Sequence, residues 1–177
     1  MKTAPRGPVP PGGTIGILGG GQLGRMLALA AARLGLKSHI YSDMHEVPAF
    51  DVAAKRTCAK YDQHESLMAF ARSVDAITFE FENIPCATLA LLAREKSTHP
   101  GAAALLVTQD RLHEKDFLSE MGIPTTPYAS ARTPEEARDA IDRVGLPAIL
   151  KTRRFGYDGK GQWPIAGADN LVWLFRA

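Results

Sequence analysis

Apolar runs of strand length alternate with segments of helical periodicity along the first part of the chain. The run at 14–18 predicts a strand, the pattern at 22–34 predicts a helix that ends at Gly35, and the run at 37–41 predicts a second strand. Four more elements follow: a short strand near Val52, a helix over 65–73, a strand over 76–81, and a helix from Pro85 to about Arg94. This alternation is typical of a doubly wound parallel sheet with helices on both faces.

The pattern changes after Gly101. Two helices are predicted over 103–107 and 110–121. A third helix is predicted to start after Thr133, which can serve as the N-cap and is followed by a proline, and to end near Gly145. The second part of the chain therefore begins as a helical segment.

The chain ends with a predicted hairpin and a helix. Apolar runs at 146–150 and 163–165 predict two strands on either side of a glycine-rich segment, and 167–175 predicts a last helix. The fold class is therefore α/β in two parts. We expect a disordered, proline- and glycine-rich extension at 1–13, a domain with a parallel sheet at 14–108, and a small α/β lobe at 109–177.

Composition narrows the function classes only slightly. The chain has 177 residues, is 45% hydrophobic and carries a net charge of +2, which gives no bulk argument for binding nucleic acid or a membrane. Its apolar stretches are too short to span a bilayer. Two cysteines, Cys58 and Cys86, show no metal-ligand or disulfide spacing, so we expect a cytoplasmic protein.

The segment 151–162, Lys-Thr-Arg-Arg-Phe-Gly-Tyr-Asp-Gly-Lys-Gly-Gln, concentrates cations and glycines between the last two predicted strands. Glycines let the backbone approach a ligand and present N–H groups to anionic oxygen. Lys151 can place its ammonium on a phosphate from the end of the apolar run. The segment predicts a triphosphate-binding loop, and the alternative is a solvated basic hairpin.

A second glycine-rich turn, Gly-Gly-Gly-Gln-Leu-Gly at 19–24, lies between the first strand and the first helix. With Asp43 beyond the second strand, it satisfies the dinucleotide fingerprint, which would indicate an NAD-dependent oxidoreductase. A monophosphate at the helix N-terminus fits the turn equally well. A third interpretation is that the glycines only permit close packing of the strand and the helix.

The segment Glu-Phe-Glu-Asn-Ile-Pro at 80–85 lies at the carboxyl end of a predicted parallel strand, where open α/β sheets bind ligands. Period-two alternation would place Glu80 and Glu82 on one face, with Phe81 opposite. The alternative is a loop of solvated acids that precedes a helix.

The motifs at 21–25, 80–85 and 151–162 together closely resemble those of the 5-(carboxyamino)imidazole ribonucleotide synthetases, ATP-grasp enzymes of bacterial and fungal purine synthesis. The resemblance runs from about Thr14 to the last residue and covers the N-terminal half of that family's length. It implies a Rossmann-like pre-ATP-grasp domain, followed by an incomplete ATP-grasp domain that consists of its N-terminal lobe.

The resemblance also implies an activity for the complete protein. That activity is the ATP-dependent carboxylation of 5-aminoimidazole ribonucleotide with bicarbonate, by a ligase of the ATP-grasp type that uses Mg²⁺. The metal ligands are expected in the absent half, so none is assigned in this chain. A homodimer is expected for the full-length enzyme, and the 177-residue chain alone is expected to be inactive. A truncated, non-catalytic binding module remains the other alternative besides the oxidoreductase.

The residues that match the family's motifs receive three roles. Tyr157 and Asp158 would lie toward the aminoimidazole, where Asp158 would orient or deprotonate the amine. The ATP-binding residues would be Arg111, Lys151, Gly156, Gly159, Lys160, Gly161 and Gln162. The ribonucleotide-binding residues would be Gly21, Gln22, Leu23, Gly24, Glu80, Glu82 and Asn83.

Overall fold

The computed structural model describes residues 7–156 and 158–167. The chain divides into two compact units, 1–105 and 106–177. The helix predicted over 167–175 lies, from residue 168 onward, outside the described residues.

The first unit has the predicted alternation of strands and helices. Its elements are β1 (Thr14–Leu18), α1 (Gln22–Arg33), β2 (Lys37–Ser42), a 3-10 helix (Pro48–Asp51), β3 (Lys55–Cys58), α2 (His64–Arg72), β4 (Ala76–Phe79) and α3 (Cys86–Glu95). The strand predicted near Val52 is wrong in position. Pro48 starts a short 3-10 helix there, and the strand begins only at Lys55.

The four strands form one parallel sheet in the order β3-β2-β1-β4. Strand β1 is central, and the chain adds β2 and β3 on one side of it and β4 on the other. In open parallel sheets, ligands bind at the carboxyl ends of the strands where the order reverses. In this unit that point lies between the ends of β1 and β4.

Both faces of the sheet are covered. Adjacent residues of β1 point to opposite faces, so Ile17 with its partner Ile40 belongs to one buried cluster and Leu18 with Tyr41 to the other. The first cluster includes Ala28 of α1. The second is larger and takes its side chains from helices α2 and α3, including Leu67, Phe70, Leu89 and Leu92.

The end of the predicted N-terminal extension is ordered in the structure. The Gly12 N–H donates to the Gly35 carbonyl at 2.7 Å, and the Lys37 N–H donates to the Gly13 carbonyl at 2.8 Å. Residues 10–13 therefore form a turn fixed to the segment between α1 and β2, whereas the sequence predicted disorder through residue 13. The long-range acceptor at Gly35 is the reason that composition alone was misleading.

The second unit contains helices α5 and α6 and one hairpin, after a short helix α4 (Ala102–Thr108) that crosses the boundary between the units. Helix α5 spans Arg111–Glu120, and helix α6 spans Pro134–Val144. The predicted cap is confirmed, because Thr133 Oγ1 accepts the Glu136 N–H at 3.2 Å. Strands β5 (Ala148–Lys151) and β6 (Gln162–Ile165) pair antiparallel.

Strand β5 is only partly buried, although it lies in an apolar run. Ala148 and Leu150 pack against Ala137 and Ile165, whereas Ile149 is 60% exposed. In a two-stranded sheet only one face is covered by α6, so burial alternates along the strand. Among the described residues, no helix is long and apolar enough to cross a membrane.

His39 is a buried polar residue at the centre of the first unit. One ring nitrogen lies 2.7 Å from Ser73 Oγ, and the other lies 2.8 Å from Thr57 Oγ1. A neutral imidazole has one donor and one acceptor, so the two hydroxyls satisfy it. Burial, and secondarily the charge of Lys55, lowers the pKa of His39 to about 4.

We predict that the unit loses stability as the pH falls from about 6.5 to about 4. In that window the unfolded state binds the proton at His39 and the folded state does not, so the free energy of unfolding decreases by on the order of 3 kcal/mol. Urea unfolding at a series of pH values measures this. In His39→Leu this part of the pH dependence of the free energy of unfolding should vanish. A substitution at the surface, His64→Gln, is the control. An unchanged slope in His39→Leu would contradict the assignment.

Candidate functional site

The glycine turn after β1 brings helix α1 very close to the end of that strand. A Cβ added at Gly24 would lie 2.7 Å from the Gly19 carbonyl oxygen, which is closer than side chains pack. A Cβ at Gly20 would collide with Val47. These glycines therefore do permit the close packing of the strand and the helix, and that packing is compatible with ligand binding at the same turn.

The side chain of Glu80 contacts this turn. Strand β4 ends at Phe79, and the Glu80 N–H continues the pairing by donating to the Leu18 carbonyl at 3.0 Å. Glu80 Oε1 then accepts the Gly21 N–H at 2.9 Å. Gly21 is the N-cap of α1. The structure thus brings together two motifs that the sequence separates by 59 residues.

The first turn of α1 has backbone N–H groups that can donate hydrogen bonds to a ligand. The first intrahelical bond runs from the Arg25 N–H to the Gly21 carbonyl at 3.0 Å. The N–H groups of Gln22, Leu23 and Gly24 precede it and have no acceptor within the helix. Leu23 is 60% exposed, so this turn is open to solvent.

Glu82 and Asn83 do not extend the strand. They lie exposed in a turn between β4 and α3. The expectation that Glu80 and Glu82 share a strand face is wrong, because β4 ends before either residue and period-two alternation does not apply. Of the two carboxylates, the structure places Glu80 on the glycine turn.

The position of Glu80 disfavours a dinucleotide. A pyrophosphate bound at Gly21 would approach the carboxylate that occupies its N–H, and two anions at that distance repel. Asp43, the expected ribose ligand of such a site, is exposed after β2. The turn is better suited to a group that can donate hydrogen bonds to Glu80.

The glycine-rich segment of the second unit forms a hairpin loop, residues 152–161, between β5 and β6. Its base is closed by Lys151, which pairs with Gln162, and by the Thr152 N–H, which donates to the Gly161 carbonyl at 2.8 Å. Gly161 has φ of 70° and would collide with Thr152 Oγ1 if it carried a side chain, so only glycine fits. Part of the glycine content therefore serves the loop's own geometry.

The two expected catalytic residues lie in this loop. Asp158 is exposed and has φ of 45°, in the left-handed region that aspartate and asparagine tolerate better than most residues. Tyr157 lies outside the described residues.

Asp110 is a site residue that sequence reasoning missed. It is 3% exposed and caps helix α5, with Oδ1 accepting the Leu112 N–H at 3.0 Å. The Arg153 guanidinium donates to both of its carboxylate oxygens, at 2.9 and 2.7 Å. A longer contact of 3.4 Å comes from Arg154. An aspartate before a helix is a recognisable cap, but its arginine partners, more than 40 residues away, could not be read from the sequence.

Hydrogen bonding decides the charge of Asp110. Burial alone would raise the pKa of this carboxyl, but the hydrogen bonds from Arg153, Leu112 and Arg154 outweigh it and lower the pKa to about 2. The carboxylate is therefore ionised at every physiological pH.

A cleft of about 630 Å³ lies in the second unit beside helix α5 and strand β5. Arg111 and Lys151, both expected to bind ATP, line it together with Lys115 and Arg153. The other expected ATP residues do not line this cleft: Gly156, Gly159, Lys160, Gly161 and Gln162. Among the described residues, no group of three or more His, Cys, Asp or Glu side chains could hold a metal ion.

Comparison with known families decides the classification. Residues 13–109 match the ribonucleotide synthetase preATP-grasp domain. The chain belongs to this family. Residues 116–175 match the ATP-grasp domain. The resemblance that the three motifs indicated is therefore confirmed, as is the α/β fold class.

Several relatives are named as N5-carboxyaminoimidazole ribonucleotide synthases. The N5-carboxyaminoimidazole ribonucleotide synthase of Brucella melitensis is 46% identical over 90% of this chain, which spans 44% of its length. The N5-carboxyaminoimidazole synthetase of Staphylococcus aureus complexed with ADP superposes with a TM-score of 0.90, at 39% identity over 95% of this chain and 45% of that one. The chain thus spans less than half the length of these relatives.

A third relative has been solved with two ligands. The synthase from Aspergillus clavatus in complex with ADP and 5-aminoimidazole ribonucleotide superposes with a TM-score of 0.78, at 26% identity. The superposition covers 91% of this chain and 42% of that one.

We predict that Gly24→Ala destabilises the first unit by about 1 to 3 kcal/mol, because the new methyl group forces α1 away from the Gly19 carbonyl. A decrease in the free energy of unfolding is informative, because alanine normally stabilises a helix relative to glycine. Denaturant unfolding measures the change. Gly7→Ala, where the added carbon meets open space, is the control and should be nearly neutral. A stabilised Gly24→Ala protein would show that the close approach is absent.

Proposed function

We propose that the complete protein, with this chain as its N-terminal part, carboxylates 5-aminoimidazole ribonucleotide with bicarbonate at the expense of ATP. The observation that carries the proposal is the similarity, over 91% of the chain, to a synthase solved with ADP and 5-aminoimidazole ribonucleotide together. The two candidate sites have chemistries that suit these two ligands. The glycine turn of the first unit presents a carboxylate and helix N–H groups, and the cleft of the second unit presents cations.

ATP is assigned to the second unit. Among the described residues the Lys151 ammonium makes no hydrogen bond or ion pair, so phosphate can take it without breaking a contact. Arg111 shares the cleft with Lys151, and its only ion pair among the described residues is an exposed one with Glu114 at 2.7 Å. Exposed pairs contribute little and are readily exchanged for phosphate. By the family resemblance, Gly156, Gly159, Lys160, Gly161 and Gln162 stay candidate ATP ligands, although they do not line this cleft.

The ribonucleotide is assigned to the first unit. Glu80 accepts from Gly21 through one oxygen, and its second oxygen can accept a ribose hydroxyl. The N–H groups of Gln22, Leu23 and Gly24 then suit an acceptor oxygen of the same ligand. Glu82 and Asn83 stay candidate ligands from the following turn.

The amine that receives the carboxyl group is assigned to the loop. An exposed aspartate among phosphate-binding groups would repel phosphate, but it suits a ligand with an amine. Asp158 would orient or deprotonate that amine, with Tyr157 beside it. In the reaction that we propose, bicarbonate attacks the γ-phosphate to release ADP, and the amine nitrogen then displaces phosphate from the carboxyphosphate while it loses its proton.

The use of magnesium, the homodimer and the cytoplasmic location stay predictions. The described residues do not by themselves fit a magnesium site, because they offer no cluster of acidic ligands, so no step is assigned to the metal here. The homodimer rests on the family resemblance alone, and the cytoplasmic location rests on the two cysteines, which show no disulfide or metal-ligand spacing.

Release of ADP by the complete protein should require both 5-aminoimidazole ribonucleotide and bicarbonate. A coupled assay for ADP, with each component omitted in turn, measures this. Oxidation of NAD(P)H without ribonucleotide-dependent ADP release would replace the proposal with the oxidoreductase interpretation.

Two substitutions in the hairpin should separate its roles. Lys151→Met removes a charge that pairs with phosphate, so ATP binding should weaken by about 1.5 to 3 kcal/mol. Asp158→Asn keeps the left-handed backbone and removes the basic group, so turnover should fall far more than ATP affinity. Calorimetric titration with ATP and steady-state kinetics compare the two proteins. The same pattern in both variants would contradict the division of roles.

A further inference from the structure

Asp110 connects two segments of the second unit that the proposed function uses. Through Oδ1 it caps helix α5, whose first residue is Arg111. Through both oxygens it accepts hydrogen bonds from Arg153, in the first arm of the loop 152–161. One side chain therefore contacts the start of the helix and the start of the loop.

A backbone contact joins the same two segments. The Arg111 N–H donates to the Arg153 carbonyl at 2.9 Å. This N–H is in the first turn of α5 and has no acceptor within the helix, so the loop supplies one. The arm of the loop is thus fixed to the helix by a backbone hydrogen bond and by a bidentate ion pair.

The ion pair also determines which cations a ligand can reach. A bidentate arginine–carboxylate pair fixes the plane of the guanidinium group. Asp110 is almost fully buried, and a buried carboxylate that loses its partner is strongly destabilised. Arg153 lines the same cleft as Arg111 and Lys151, but its guanidinium is held by Asp110.

We propose that Asp110 is a positioning residue for ATP: it holds the arm of the loop 152–161 against the first turn of helix α5, so that Arg111 and Lys151 address the same phosphate groups. The inference rests on the proposed function, since it takes the ligand to be ATP. Arg153 acts with Asp110 and does not contact phosphate itself.

The decisive variant is Asp110→Asn in the complete protein. Asparagine is as good an N-cap as aspartate, so the start of α5 keeps its acceptor while the charge that retains Arg153 is lost. We expect the Kd for ATP to rise about tenfold, as for loss of a charge-assisted hydrogen bond, with the Kd for the ribonucleotide unchanged. Thr133→Ala is the matched control, because it removes the cap of α6 in the same unit and leaves the loop contacts intact.

A double variant tests whether the two residues act as one. Arg153→Met should weaken ATP binding to a similar extent, and Asp110→Asn with Arg153→Met should be no weaker than either single variant. Additive losses would mean that Arg153 binds the ligand directly, and they would overturn the inference.

A measurement without ATP separates this inference from the proposed function. Trypsin cleaves after arginine, and Arg153 and Arg154 lie in the arm that Asp110 holds. Without ligand, Asp110→Asn should be cleaved there about tenfold faster than the parent protein, whereas Thr133→Ala should not. Unchanged cleavage, or faster cleavage with an unchanged Kd for ATP, would overturn the positioning role. A parent protein that binds no ATP would refute the proposed function, and cleavage would still decide whether Asp110 holds the loop.

Discussion

The close approach of helix α1 to the end of strand β1 is the constraint on which the first site depends. The residues that α1 turns inward are small, Gly24, Ala28 and Ala31, because the Gly19 carbonyl leaves no room for a larger side chain at position 24. The larger apolar residues of the helix are exposed: Leu23 and Met26 by more than half, and Leu27 and Leu29 by 39% and 47%. The helix therefore gains little from burying its own leucines, and the opposite face of the sheet supplies most of the apolar core.

That approach also brings a carboxylate onto the glycine turn. With α1 this close, its N-cap N–H lies within reach of a side chain from the end of β4, and Glu80 takes it. A carboxylate is stabilised at a helix N-terminus, but it changes what the turn can bind. A turn that would otherwise attract phosphate now favours donors such as hydroxyl or amine groups. The same glycine pattern can thus serve a dinucleotide in one protein and a different ligand in another.

The sequence predicted the order of the elements well, because periodicity, glycines and caps act locally, as at Thr133. It failed where the outcome depended on a distant partner. Ile149 is exposed although it lies in an apolar run, since only one face of β5 is covered. The contact of Glu80 with Gly21 and that of Arg153 with Asp110 span 59 and 43 residues. No local pattern encodes such pairs. The motifs therefore indicated candidate site residues, but they did not predict which of these residues contact one another.

The contact with Asp110 changes the electrostatics of the cationic segment. Lys151, Arg153 and Arg154 are close in sequence, and three cations this close repel one another in the absence of an anion. Asp110 supplies that anion from inside the protein, and it is ionised because hydrogen bonds lower its pKa despite burial. Asp110 thus pairs with both arginines, whereas Lys151 keeps an ammonium without a partner among the described residues. Because two of its cations pair with Asp110, the net positive charge of this segment is smaller than its composition indicates.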